Sequence, residues 1–222
     1  MKQIFKIIAC SIISVTVLSC TKDTISNIQT SENFQGYNPV NGDIIFHTSK
    51  SNQSPIIQQI TNSNLSHCGI IYIKNNITYV LEASNVVKLT RLETFINNGV
   101  DKKFEVFRYK KQLSESDKKE MFVYATKQLG KLYDAKFEFS DNKMYCSELV
   151  WKIYNSVGIE LSEPTRFLDY DLSSQEVIKL INSRYKTNIN LQEKVITPVQ
   201  ITKDRENLFP VYQNYREELF IF

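Results

Sequence analysis

Three side chains that lie far apart in the chain, Cys146, His67 and Glu82, are of types that together support attack on a carbonyl. A thiolate forms the bond, an imidazole moves the proton, and a carboxylate holds the imidazole by its other ring nitrogen. Cys146 stands in Met144-Tyr145-Cys146-Ser147-Glu148-Leu149-Val150-Trp151. Beyond it Leu149, Val150, Ile153, Tyr154 and Val157 recur at helical spacing and Gly158 follows as a stop, so the pattern predicts a helix with the thiol in its first turn. Unpaired backbone N–H groups and the helix dipole favour an anion at that end, which makes Cys146 the candidate nucleophile. A buried cysteine that packs as a small apolar residue is the alternative that this stretch leaves open.

His67 lies in the β-rich run Leu65-Ser66-His67-Cys68-Gly69-Ile70-Ile71-Tyr72-Ile73, and Glu82 in a second run, Ile77-Thr78-Tyr79-Val80-Leu81-Glu82-Ala83. Asn75-Asn76 between them suits a two-residue hairpin turn, because asparagine tolerates positive φ. That turn sets Lys74 opposite Ile77, Ile71 opposite Val80, Gly69 opposite Glu82 and His67 opposite Ser84. Alternation then puts His67, Gly69 and Glu82 on one face, with His67 and Glu82 diagonal neighbours roughly 7 Å apart between backbones, within reach of a hydrogen bond. Cys68 points to the other face, away from the partners of His67, and is the poorer nucleophile. Taken singly, a strand histidine and a strand glutamate are ordinary structural and solvated residues.

These elements need a scaffold, and 222 residues with 42% hydrophobic and 23% charged side chains suffice for one well-filled domain. The basic opening Met1-Lys2-Gln3-Ile4-Phe5-Lys6 and the short apolar run from Ile7 to Leu18 read as a secretory signal peptide over residues 1–19. Ser19-Cys20 resembles the bacterial lipobox, in which Cys20 becomes the lipid-attachment residue at the start of the mature chain. The stretch 20–38, rich in Ser, Thr, Asn and Gln, reads as a tether, and 39–222 as the folded domain, with a weaker pattern beyond about residue 164. Cleavage removes Lys2 and Lys6 and no acidic residue, so the formal charge falls from +3 to +1. Without a basic block, nucleic acid is not an expected partner. With only His47 and His67 and no paired Cys-x-x-Cys or His-x-x-x-His spacing, neither a metal nor another cofactor is expected.

Along the domain the pattern predicts a strand at Asp43-Ile44-Ile45-Phe46, one or two helical turns over Pro55 to Ile60, and a strand from Val86 to Leu89. A short helix from Arg91 to Asn97 and a strand from Phe104 to Tyr109 follow. Ser114, with Asp117 in capping-box position, starts a helix that Gly130 ends. A further helix spans Ser174 to Arg184, and the chain closes on an aromatic tail of Phe209, Tyr212, Tyr215, Phe220 and Phe222 expected to pack on the domain. Strands followed by packed helices suggest an α+β layer architecture.

Five segments in order carry a resemblance: Gly42-Asp43-Ile44-Ile45-Phe46, Ser66-His67-Cys68-Gly69-Ile70, Glu82-Ala83, Gly130-Lys131-Leu132-Tyr133-Asp134 and Tyr145-Cys146-Ser147-Glu148-Leu149-Val150. Over roughly Gly42 to Gly158 the chain resembles the permuted NlpC-type papain-like amidases, in their YiiX-like branch, where the histidine strand precedes the cysteine helix. The resemblance implies a circularly permuted papain-like fold, an antiparallel sheet packed on helices that include the nucleophile helix. It implies Cys146 as nucleophile, His67 as general base and acid, Glu82 as the residue that orients His67, and Tyr145 in a supporting position. Cys68 and His47 depart from the family's pattern, which has an apolar residue after the histidine and a polar amide after the Gly-Asp-Ile-Ile-Phe run.

Three functions follow as expectations. The first is a lipid-anchored cysteine hydrolase of the cell envelope that cleaves amide bonds through a thioester, with cell-wall peptides as its substrate and the membrane met through its N-terminal lipid. The second is an acyltransferase or lipid-ester hydrolase on the same fold, its aromatic tail lining an apolar slot. The third is a non-catalytic envelope binding protein in which Cys68 and Cys146 form a disulfide.

Overall fold

An apolar run after Asp43 forms strand β1 (Ile44–His47), and Pro55 in the first turn opens helix α1 (Ser54–Thr61). The structure, a computed structural model, describes residues 34, 36–186 and 189–215. Strands β2 (His67–Lys74) and β3 (Ile77–Ala83) join through Asn75 and Asn76, whose φ values of 52° and 60° are those of a primed hairpin turn. That turn sets Lys74 opposite Ile77 and Ile71 opposite Val80, the register expected from the sequence. Then come β4 (Val87–Arg91), α2 (Leu92–Asn97), β5 (Glu105–Tyr109) and α3 (Glu115–Lys127), the last opened by a Ser114–Asp117 capping box. Helix α4 (Cys146–Asn155) follows, with Cys146 as its first residue, and Gly158 beyond its end adopts φ +74°.

The C-terminal part holds more structure than its pattern announces. It contains a two-stranded ribbon of β6 (Thr165–Arg166) and β7 (Lys194–Val195), helices α5 (Gln175–Tyr185) and α6 (Pro198–Lys203), and strand β8 (Leu208–Gln213). β8 completes a six-stranded antiparallel sheet in the order β4-β3-β2-β1-β5-β8. Part of the aromatic tail is therefore an edge strand. Within it Tyr212 stacks on Phe104 at 4.6 Å, while Phe209 is 38% exposed, and Phe220 and Phe222 lie outside the described residues. No helix among the described residues is long and apolar enough to cross a membrane.

Alternation along the strands gives the sheet two apolar faces. Ile44, Phe46, Cys68, Ile70 and Leu81 point toward α3 and α4, where Leu149, Val150, Ile153 and Tyr154 complete the larger core. Ile45, Ile71, Val80 and Val106 point the other way and are closed by Leu92, Phe95 and Ile96 of α2. Asp43 ties the start of the sheet together, accepting from Arg108 Nε at 2.6 Å and Nη2 at 2.8 Å and from Tyr37 Oη at 2.5 Å. Tyr37 is buried, so the domain begins before Pro39 and takes in the end of the stretch read as a tether; the rest of that stretch, residues 1–19 read as a signal peptide, and Cys20 lie outside the described residues. Gly42 adopts φ +94°, and a Cβ there would sit 2.8 Å from Leu113 Cδ1. Its carbonyl accepts a 2.5 Å hydrogen bond from Tyr154 Oη, which fastens the far end of α4 to the sheet.

Candidate active site

His67 is the first residue of β2, and Cys146 the first of α4. The hairpin register brings Glu82 to His67 across the face that alternation predicts, and His67 Nε2 donates to Glu82 Oε2 at 2.6 Å. Glu82 is held in turn by a short hydrogen bond from Thr90 Oγ1 on β4, so both carboxylate oxygens are engaged. Thr90 lies just beyond the strand expected from the sequence, and the contact depends on the pairing of β3 with β4. With Nε2 committed to Glu82, Nδ1 is the ring nitrogen left for the Cys146 thiol, which hydrogen-bonds to the His67 side chain.

Gly69 makes this register possible. A Cβ there would meet Val80 Cγ1 at 2.4 Å and the Leu81 carbonyl oxygen at 2.8 Å, so only glycine lets β3 lie close enough for Glu82 to reach the imidazole.

Cys68 corrects one expectation. It does point to the opposite face from His67, but that is the face on which α4 packs, and its thiol meets the sulfur of Cys146. Both cysteines are free thiols, so the disulfide that the non-catalytic alternative requires is not formed.

The electrostatics favour an ion pair. Donation from the Cys68 thiol is the largest influence on Cys146; burial opposes it, and His67 and the Cys68 backbone N–H add to it, leaving the Cys146 thiol well below the usual thiol range. Burial alone would depress His67, yet the facing Cys146 sulfur and the Glu82 carboxylate outweigh it and lift the imidazole to about 10. Glu82 would be raised by its burial, but the bonds from His67 and Thr90 bring it below the usual carboxylate range. Burial pushes Cys68 well up. The site therefore rests as thiolate and imidazolium, with Cys68 a neutral donor.

His47 lies opposite His67 in the β1–β2 pairing, stacked on Phe95 at 4.3 Å with its ring 5.3 Å from that of His67. Burial drives it down to about 3, so it stays neutral, and its Nδ1 is buried without a hydrogen-bond partner. Tyr145, expected in a supporting position, is the residue before α4: its backbone N–H donates to Glu148 Oε2 at 3.2 Å and its hydroxyl accepts from the Ile196 N–H at 3.1 Å. It positions the helix start. His67 and Glu82 line an open cleft of about 790 Å³ with Lys50, Lys88 and Arg184 on its walls.

A buried thiolate at a helix N-terminus, an imidazolium on its carboxylate, and backbone N–H groups of the first helical turn are parts sufficient for acyl transfer through a covalent thioester. Known proteins carry the same arrangement of chain. Residues 38–208 match the family described as permuted papain-like amidase enzyme, YaeF/YiiX, C92 family. The uncharacterized protein YiiX of Escherichia coli K12 is 40% identical over 163 residues, which cover 73% of this chain and 81% of that one. The crystal structure of the metalloprotein yiiX from Escherichia coli O157:H7 superposes with a TM-score of 0.77 at 37% identity, covering 81% of this chain and 100% of the other. Sequence and fold agree, and the chain belongs to the YaeF/YiiX, C92 family of permuted papain-like amidases.

Proposed function

We propose that this protein is an exported, lipid-anchored cysteine hydrolase that cleaves amide bonds of cell-wall peptides with Cys146 as nucleophile, His67 as acid and base, and Glu82 orienting His67. The observation that carries the reading is the 2.6 Å bond from His67 Nε2 to Glu82, which fixes the imidazole with Nδ1 toward the thiol at the start of α4. Family membership supports the hydrolase class. The signal-like residues 1–19 and the lipobox-like Ser19-Cys20 support export and anchoring.

The Cys146 thiolate attacks the amide carbonyl carbon, and the oxygen takes the charge, facing backbone N–H groups of the first turn of α4. The tetrahedral species collapses as His67 passes its Nδ1 proton to the departing nitrogen; the C–N bond breaks and a thioester with Cys146 remains. Neutral His67 then takes a proton from water, the hydroxide attacks the thioester, and acid and thiolate are restored. Among the described residues no group of three or more His, Cys, Asp or Glu side chains is placed to hold a metal ion, and the Nε2 of His67 is committed to Glu82.

The test is incubation of the protein with cell-wall peptides and, separately, with phospholipids, with products identified by mass spectrometry. Cys146-dependent release of amine and acid from the peptides is expected. Fatty-acid release or transfer from the phospholipids alone would replace amide hydrolysis with the lipid reaction.

A further inference from the structure

A second cavity meets Cys146, and His67 is not among its walls. It holds about 60 Å³ and is lined by Cys146 itself, with Ile57 and Ile60 of α1, Phe137, Phe167 and Ile196 among its walls. Its surface is almost wholly apolar. The wide cleft is lined by His67 and Glu82, not by Cys146, and carries the cations Lys50, Lys88 and Arg184.

The chemistry of the step orients a substrate across these two spaces. Because His67 delivers the proton to the departing nitrogen, the leaving amine must lie on the His67 side of the sulfur, and the acyl group that stays on the sulfur must lie on the other. The narrow apolar cavity is thus on the acyl side and the cationic cleft on the leaving side. We propose that the cavity between α1 and the start of α4 is a specificity pocket for a compact aliphatic acyl group, and that the polar leaving amine occupies the cleft. This rests on the hydrolase reading above.

Size sets the class. At about 10–15 Å³ of such space per water, 60 Å³ admits roughly four to six waters, about the bulk of a branched chain of four or five carbons. A leucine-like side chain or a short branched acyl chain fills it, whereas a dodecanoyl chain overfills it. Such a group reaches the pocket either as the residue before the scissile bond of a peptide or as a free short acyl chain, and both present the same apolar surface.

The test uses the full chain in detergent with a series of 4-nitroanilides: acetyl, isovaleryl, N-acetyl-leucyl and dodecanoyl. We expect kcat/KM for the isovaleryl or leucyl compound to exceed that for acetyl at least tenfold, with dodecanoyl poor. A leucyl preference over isovaleryl identifies the peptide source and the reverse the free acyl chain. Ile57→Phe, which fills the pocket, should bring that ratio close to one, and Ile60→Asn should lower it. Because a ratio is read, loss of folded protein does not imitate the effect. Equal turnover of acetyl and leucyl compounds, a better dodecanoyl substrate, or a preference unmoved by Ile57→Phe would overturn the pocket. A second measurement is independent of turnover: 4-methylpentanamide should protect Cys146 from iodoacetamide saturably in the wild type and not in Ile57→Phe. Protection without Cys146-dependent hydrolysis would keep the pocket and overturn the hydrolase reading, whereas hydrolysis without protection or preference would do the opposite.

Discussion

Iodoacetamide reacts with thiolates, so the depressed Cys146 thiol should alkylate at pH values well below the ordinary thiol range, while Cys68, raised by burial, stays unlabelled. Peptide mapping after brief labelling at pH 6 checks this, and comparable labelling of the two would refute it. Cys68→Ala removes the largest influence holding Cys146 down, so the midpoint of its labelling curve should move to higher pH. The sign is opposite at the other end of the scale: His67 loses its proton as pH rises through about 10, and activity that needs the imidazolium falls there. Glu82 acts through His67. Glu82→Gln keeps shape and an acceptor but removes the charge, so it should retain the fold and a measurable activity with a loss of roughly tenfold or more in kcat/KM, equal to about 1.4 kcal/mol. Cys146→Ala and His67→Ala should abolish turnover. A Glu82→Gln variant within about twofold of wild type would return Glu82 to a structural role.

Strand β2 and helix α4 deliver His67 and Cys146, and each has a single point on which its placement turns. At Gly69 any side chain would collide with Val80 and with the Leu81 backbone, so Gly69→Ala should force β3 away from β2. We expect it to cost about 1–3 kcal/mol in denaturant unfolding, with a fall in kcat/KM in the molecules that remain folded, because Glu82 moves with β3. Unchanged stability and activity would show that the two strands approach less closely. At the other end of α4, Tyr154→Phe removes the 2.5 Å bond to the Gly42 carbonyl and leaves that acceptor buried, for a loss of about 1–3 kcal/mol of unfolding free energy, read as a lower denaturant midpoint.

The whole molecule depends on a buried anion and, by proposal, on a lipid. Asp43 is fully buried while Arg108 is about one-third exposed, so Arg108→Ala should cost about 3 kcal/mol, the lower end of the range for a broken buried pair, read as a lower Tm. Cys20→Ser should free the protein from the membrane fraction or stall its processing; unchanged association would mean that another feature holds it. Much of the site was legible beforehand because its signals are local. Asn75-Asn76 dictates a turn, the turn dictates register, and register with the two-residue period places Glu82 by His67. Helical spacing from Cys146 onward likewise announced a helix that begins at the thiol. Period and propensity say which face a side chain takes, but not what lies across from it. That Cys68 would meet Cys146 depended on α4 covering that face, and Thr90 on β4 pairing with β3. The stack of His47 on Phe95 needed α2 folded over the other face, and the apolar cavity needed Phe167 and Ile196 brought to Cys146 from the C-terminal part. These contacts join segments whose own patterns are weak or ordinary, and their geometry is set only when long-range burial of the two sheet faces closes the domain.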